Sequence, residues 1–377
     1  MSKKIFITIG VIAVVAIGVV VWLNKDKKQE MITIGAILPL TGQVSFTGVP
    51  IKNSIELFIN EFNSTSNTKV NVIYEDSQGD KNKAISAFQK LQLQGIKIII
   101  GPVTSGEVLT VAPLAEKHQI VIFSPGSSAS EITNFGEYVF RNELSDVYGA
   151  KEQARLAIDI LHWKNVGVLY IQNDYGVGIA NAFENEFKQR GGVIPISLAF
   201  ASNTTDFRTH IMKYKNQQLN AIFIIAQAEY PQIVKQIREN DLRFNLYATP
   251  VFEDNTFLEQ IGKANSEGII YTYYGAFDLE NTDRESKSFI ENYQVQYKIA
   301  PSYYAALGYD NVSIVVEILK KNEFKFENIN KEFYAGKNFK GITGNISFDK
   351  NGDVIKPVTL KIVKDGKFVK YNSINKL

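Results

Sequence analysis

Residues 98–130 decide the fold. They run Ile98-Ile-Ile100 into Gly101-Pro-Val-Thr-Ser-Gly-Glu107, then, past an amphipathic stretch, Ile120-Val-Ile-Phe123 into Ser124-Pro-Gly-Ser-Ser-Ala-Ser130. Each half is a short apolar run, broken by Gly and Pro, that leads through hydroxyl-rich residues toward a helix. A run of that kind is a strand buried on both faces, the habit of parallel sheets. Outward from it, Ile32 to Leu38 and Val70 to Tyr74 are runs of the same kind. Ile51, Ile55, Phe58, Ile59 and Phe62 recur at helical spacing after Pro50, which suits a first helical turn. Ala84 to Leu93 and Glu107 to Lys117 predict two more helices. This βαβα order implies a parallel sheet with helices on both faces, so the fold class is α/β.

The alternation restarts after Asp146. Ala154 to Leu161 and Ile179 to Gln189 read as helices. Val166 to Ile171, Val193 to Phe200, Ala221 to Ile225, Leu246 to Ala248 and Ile269 to Tyr273 read as strands. Two open, doubly wound α/β units in one chain is the economical reading. The end differs: Ile346 to Phe348, Val358 to Val363 and Phe368 to Tyr371 are separated by Asn351-Gly and Asp365-Gly turns, an antiparallel appendage.

The 377 residues exceed one ordinary domain. Lys+Arg is 41 against 39 Asp+Glu, and the excess is matched by Lys3 and Lys4 ahead of an apolar front, so the body is neutral. A neutral body has no electrostatic grip on nucleic acid. With no cysteine in the chain, disulfides, thiol nucleophiles, Cys-ligated metals and a lipid-modified cysteine are excluded. Residues 5–23 form a run of 19 uncharged residues, which as a helix spans about 28 Å, close to a bilayer's hydrocarbon core. The run is longer than a signal-peptide core and no small-x-small site follows it. An uncleaved N-terminal transmembrane anchor over residues 1–23, with residues 24–30 as linker, is expected; a cleaved signal is the alternative. Lys25, Lys27 and Lys28 outnumber Lys3 and Lys4, so the positive-inside count argues against an exported body.

Ligands of open parallel sheets bind at the carboxyl ends of the strands. The loops 101–107 and 124–130 sit there, and hydroxyls with free N–H groups at helix N-termini suit a carboxylate. Ser105 and Ser128 are also simple cap candidates. Catalytic signatures are thin. His118, His162 and His210 are scattered, no His-x-x-x-His or Gly-x-Ser-x-Gly exists, and Gly176-Val-Gly178 lacks the third glycine of a dinucleotide loop. No metal, no cofactor and no enzymatic activity is expected.

Six motifs recur in order: Gly35-Ala-Ile-Leu-Pro-Leu-Thr-Gly42, Tyr74-Glu-Asp-Ser-Gln-Gly-Asp80, Ile99-Ile-Gly-Pro-Val-Thr-Ser105, Phe123-Ser-Pro-Gly-Ser-Ser128, Asn173-Asp-Tyr-Gly176 and Tyr309-Asp310. Together they resemble the branched-chain amino-acid-binding family, the type I periplasmic binding proteins of ABC importers, over residues 31–371. The resemblance implies two lobes joined by three crossovers, closing on a ligand like a hinged trap. Lobe 1 is then 31–146 with 276–341, and lobe 2 is 147–275 with 342–377. It implies a monomer that takes a small molecule and docks on an ABC permease. It further implies that Thr104, Ser105, Gly126, Ser127 and Ser128 hold the ligand's α-carboxylate and part of its ammonium. Tyr175 closes over from lobe 2, and Phe46 and Thr47 meet the side chain. One departure stands out. The acid that pairs with the ammonium falls on Val251, with Glu253 two positions on, and the expected tyrosine falls on Ala226, beside Gln227. Either Glu253 takes the role, or the ligand lacks an ammonium, as an amide, urea or aromatic acid does. The rival to transport is a sensor reporting ligand occupancy to a membrane partner.

Overall fold

A computed structural model describes residues 31–275, 277, 279, 283–335 and 338–371. The expected anchor at 1–23 and linker at 24–30 lie outside the described residues. Among the described residues, no helix is long and apolar enough to cross a membrane.

The first sheet takes β1 (Met31–Leu38), β2 (Lys69–Asp76), β3 (Ile98–Ile100), β4 (Val121–Ser124) and β5 (Val139–Arg141) in the order β2-β1-β3-β4-β5, every pairing parallel. β3 is inaccessible along its whole length, as its unbroken isoleucines require. The second sheet is built from β6 (Val166–Ile171), β7 (Ser197–Phe200), β8 (Ala221–Ile225), β9 (Asn245–Ala248) and β10 (Ile270–Tyr274), again parallel. A small antiparallel sheet follows, β11 (Phe339–Gly341), β12 (Gly344–Phe348) and β13 (Val354–Ile355). Finally β14 (Val358–Lys364) pairs antiparallel with β10, and β15 (Lys367–Lys370) pairs with β14.

Three details differ from the sequence reading. The helix around Pro50 starts earlier, at Ser45, so Pro50 lies inside it rather than in its first turn. Pro195, which has no N–H to give a ladder, shortens the expected strand 193–200 to Ser197–Phe200, leaving Val193 in an isolated bridge with Asn165. The third change concerns the lobes. Ile346 and Phe348 belong with lobe 1, because Phe348 packs on Phe123, Phe140 and Phe333, and Asp353 pairs with Arg141 at 2.6 Å. The chain therefore returns to lobe 2 near Lys356-Pro357, not at 342.

The crossovers are tied to one another. Lys356 Nζ donates to the Asn142 carbonyl at 2.9 Å, and the Gly275 N–H donates to the Pro357 carbonyl at 2.8 Å. Asp310, fully buried, accepts from the Ile342 and Thr343 N–H groups and from the Thr343 hydroxyl. Buried charge and hydrogen bonding thus gather where the chain passes between lobes, while each lobe keeps its own apolar sheet.

Candidate ligand-binding cleft

The carboxyl ends of both parallel sheets face each other across a cleft. On the lobe 1 side, β3 leads through Gly101 into the helix Ser105–His118. Gly101 has φ +99°, and a Cβ there would sit 2.1 Å from the Ile37 carbonyl oxygen, so only glycine fits this turn. Thr104 caps the helix in a box with Glu107, which reaches back to the Thr104 N–H at 3.1 Å and accepts from its hydroxyl at 2.6 Å. The cap is therefore Thr104, and Ser105 is left for another role. Ser105 Oγ accepts from the Ser128 and Ala129 N–H groups, at 3.2 and 3.1 Å, which docks the two hydroxyl loops together. With its lone pairs engaged there, Ser105 still has a proton to donate, and it lines the mouth of the cleft with Thr104 and Gly106.

From lobe 2, Asn173 caps the helix Asp174–Gln189 by accepting from the Gly176 N–H at 2.9 Å. Gly176 permits that tight strand-to-helix turn, since a Cβ would lie 2.0 Å from the Ile171 carbonyl oxygen. The turn projects Tyr175 into the cleft, where its hydroxyl pairs with Thr249 Oγ1 at 2.8 Å. Gln227 sits at the mouth and accepts from Asn173 Nδ2 at 3.1 Å.

The lobes are closed on each other. Lys81 of lobe 1 pairs with Asp174 of lobe 2 at 2.7 Å, and the Phe46 and Phe257 rings meet at 5.1 Å between centroids. The mouth opens onto about 670 Å³. Behind it an inner cavity narrows to about 20 Å³, on the scale of a single ordered water. Gly126, Ser128, Tyr175 and Val251 line it, together with Tyr274, Tyr303 and Tyr304. Glu143 and Asp146 line it as well.

Of the sequence-predicted residues, Thr104, Ser105, Gly126, Ser128, Tyr175 and Gln227 converge on this cleft. Phe46 closes its side, packed tilted against Phe257 and edge-on to Tyr304. Thr47 and Ser127 are buried and line neither the mouth nor the inner cavity; Thr47 donates to the Val44 carbonyl at 2.7 Å. Glu253 needs correction. Its carboxylate turns behind the cleft to Lys361, with contacts of 2.8 and 3.1 Å, and accepts from the Tyr271 hydroxyl at 2.8 Å. Its charge is already matched within the protein, and it lines neither the mouth nor the inner cavity.

The acids that do line the inner cavity, Glu143 and Asp146, escaped the sequence reading. They follow β5, a three-residue strand too short to register as an apolar run. Had β5 been read, the strand-end rule would have pointed to them. Burial pushes the Asp146 carboxyl up to about 7, against the lowering pull of the Ser128 hydroxyl and Arg141. Burial also lifts Glu143 to about 7, against Lys356 and a 2.8 Å hydrogen bond from the Tyr303 hydroxyl. The tyrosines Tyr303 and Tyr304 stand on the helix Tyr303–Lys321. In sequence they read as ordinary apolar positions of that helix.

Two α/β sheets, tied at three crossovers and shut over a polar cavity, define a ligand trap of the binding-protein class. The family profile described as periplasmic binding protein matches residues 31–367. This chain belongs to that family, in its type I, branched-chain amino-acid branch, whose members bind solutes outside the cytoplasm and are not enzymes. It is 24% identical over 352 residues to a Leu/Ile/Val-binding protein homolog of Brucella melitensis, covering 90% of this chain and 93% of that one. Among solved structures, a leucine-binding protein of Thermotoga maritima superposes with a TM-score of 0.84 at 27% identity, over 90% of this chain and 98% of the other. A branched-chain amino-acid transporter substrate-binding protein of Streptococcus pneumoniae, in complex with isoleucine, superposes with a TM-score of 0.83 at 25% identity, over the same shares.

Proposed function

We propose that this protein is the solute-binding component of an ABC importer, closing its lobes on an amino acid and presenting the closed form to a permease. The observation that carries this reading is the pair of hydroxyl loops. Ser105 Oγ accepts from two backbone N–H groups and still has a proton to donate at the cleft mouth, and the buried Ser128 hydroxyl, beside the Asp146 carboxyl, lines the inner cavity. Two such donors at the end of a parallel sheet match a carboxylate, and closure strengthens them by excluding water. Relatives named for leucine, isoleucine and valine support an amino acid over an amide, urea or an aromatic acid. Residues 5–23 are long and apolar enough to tether the body to the membrane. Intact-mass measurement of membrane-extracted protein tests the tether, and a mature chain starting near Lys25 removes it.

The function itself is tested by thermal melting of the full chain against the twenty amino acids, and by titration of the best one. Ser105→Ala and Ser128→Ala each weaken that ligand by about 1–3 kcal/mol, the cost of leaving a charged group one hydrogen bond short. Unchanged affinity in both variants places the ligand elsewhere.

A further inference from the structure

Asp146 is a carboxylate in an unusual position. It is 3% exposed, it lines the inner cavity, and both of its oxygens lack a hydrogen-bond partner in the protein. Ser128 Oγ, on the same cavity, is near enough to pull on the Asp146 carboxyl but sits at hydrogen-bond distance from no group. Buried polar groups are almost always satisfied, so an orphaned pair facing one cavity marks a place where something else supplies the contacts. Other buried acids here are answered from within: Glu253 by Lys361, Asp310 by Thr343, and Asp254 by Thr256. Glu143, 6% exposed on the same wall, takes one hydrogen bond from Tyr303 and one from the Leu144 N–H. Across the cavity, the lobe 2 position where an acid is expected is Val251.

We infer that Asp146, backed by Glu143, is the counter-charge for the ligand's ammonium group, so that the acid sits on the lobe 1 wall and first crossover instead of lobe 2. This inference rests on the amino-acid reading above and deepens it. The consequence is a cavity with hydroxyl donors for a carboxylate and an orphaned carboxylate for an amine. Once the lobes part from this closed arrangement, whose inner cavity is only about 20 Å³, such a site takes a zwitterionic α-amino acid and turns away a carboxylate without an amine, which would face Asp146 as a like charge. The Ser145–Asp146 step opens the helix Asp146–Asp159, and the Asp146 N–H donates to the Ser128 carbonyl at 2.6 Å. The ammonium partner and the carboxylate loop therefore move as one unit. To the inner cavity lobe 2 contributes Tyr175 and the Val251 wall but no charge; its acids Asp174 and Glu229 line the mouth instead. On its other side the carboxylate has room because residue 178 is a glycine, where a Cβ would fall 2.7 Å from Asp146 Oδ2.

The test uses the full chain with each of the twenty amino acids and the corresponding deamino acids (4-methylpentanoate for leucine, propanoate for alanine). Titration calorimetry compares wild type, Asp146→Asn, Glu143→Gln and Ser105→Ala. The expected result is an amino acid that binds wild type while its deamino analogue does not. Asp146→Asn then weakens the amino acid about 100-fold or more, the scale of an uncompensated buried charge. The same variant, free of an unpaired buried carboxylate, melts no lower than wild type without ligand, which a merely structural residue would not do. If Asp146→Asn keeps the amino acid within about threefold while Ser105→Ala loses it, the amine is held elsewhere and this inference falls, though the cleft stands. Equal binding of amino and deamino acids to wild type overturns it in the same way. Binding of no amino acid at all overturns both readings.

Discussion

Glu253→Gln separates a folding role from a ligand role, because its carboxylate meets Lys361 and the Tyr271 hydroxyl inside the protein. The acid and Lys361 are 6% and 3% exposed, joined by contacts of 2.8 and 3.1 Å, with Lys361 Nζ also 4.0 Å from the Tyr273 ring centroid. The glutamine can keep the hydrogen bond from Tyr271 and one contact to Lys361. What it removes is the negative charge, which leaves a buried ammonium matched only by a ring face. Breaking a buried pair from one side costs about 3–5 kcal/mol. For a body of roughly 340 residues unfolding together, that is a fall in melting temperature of about 4–7 °C. Adding Lys361→Met should restore most of the loss, since an apolar pair of similar volume removes both charges at once. Differential scanning calorimetry of the three variants, with titration of the best amino acid, reads both quantities. Full stability with a collapse of affinity in Glu253→Gln would refute this assignment and return Glu253 to the ligand.

Two further predictions follow from the buried acids and from the lobe boundary. Asp146 and Glu143 have folded pKa values raised by burial from 3.8 and 4.5 to about 7, so they hold protons that the unfolded chain has released. Their contribution to ligand-free stability is therefore complete below about pH 4 and is lost as pH rises toward 7, by up to about 1.4 kcal/mol per pH unit and proton. Arg141 and Glu131 face these groups, as does Lys356, which burial lowers only to about 8, above that window. Melting temperature against pH shows a shallower fall in Asp146→Asn than in wild type; identical slopes contradict the shift. Phe348→Ala costs about 3–5 kcal/mol, the range for emptying a buried aromatic site. Hydrogen exchange in that variant quickens in β4 and β5, whose Phe123 and Phe140 it touches, and not in β14. Faster exchange confined to β14 would put residues 342–355 back in lobe 2.

Much of the architecture was legible because parallel strands announce themselves. Ile98 to Ile100 and Ala221 to Ile225 are continuous apolar runs because both their faces are covered, and the same cause ends each at a polar loop. The hydroxyl loops 101–107 and 124–130 were found by the rule that ligands sit at strand ends. Val139 to Arg141 was missed since three residues carry no period, and with it went Asp146 and Glu143. Phe348 reads like any strand residue, and nothing local says which lobe will cover it.

The chain's own order of runs and turns determined two α/β units, a cleft at their strand ends and the hydroxyls that line it. These are short-range properties, set by which side chains alternate within a few residues. Only the tertiary structure decided how the charges are used. Glu253 stands near the strand end where an ammonium partner was sought, yet β14 folds back against β10 and brings Lys361 to it from far along the chain. Asp146 looks like an ordinary first-turn acid, yet the fold buries it against the inner cavity with no group at hydrogen-bond distance from its carboxylate. A buried charge takes its meaning from what lies within a few ångströms, and that distance is set by topology, not by sequence neighbours.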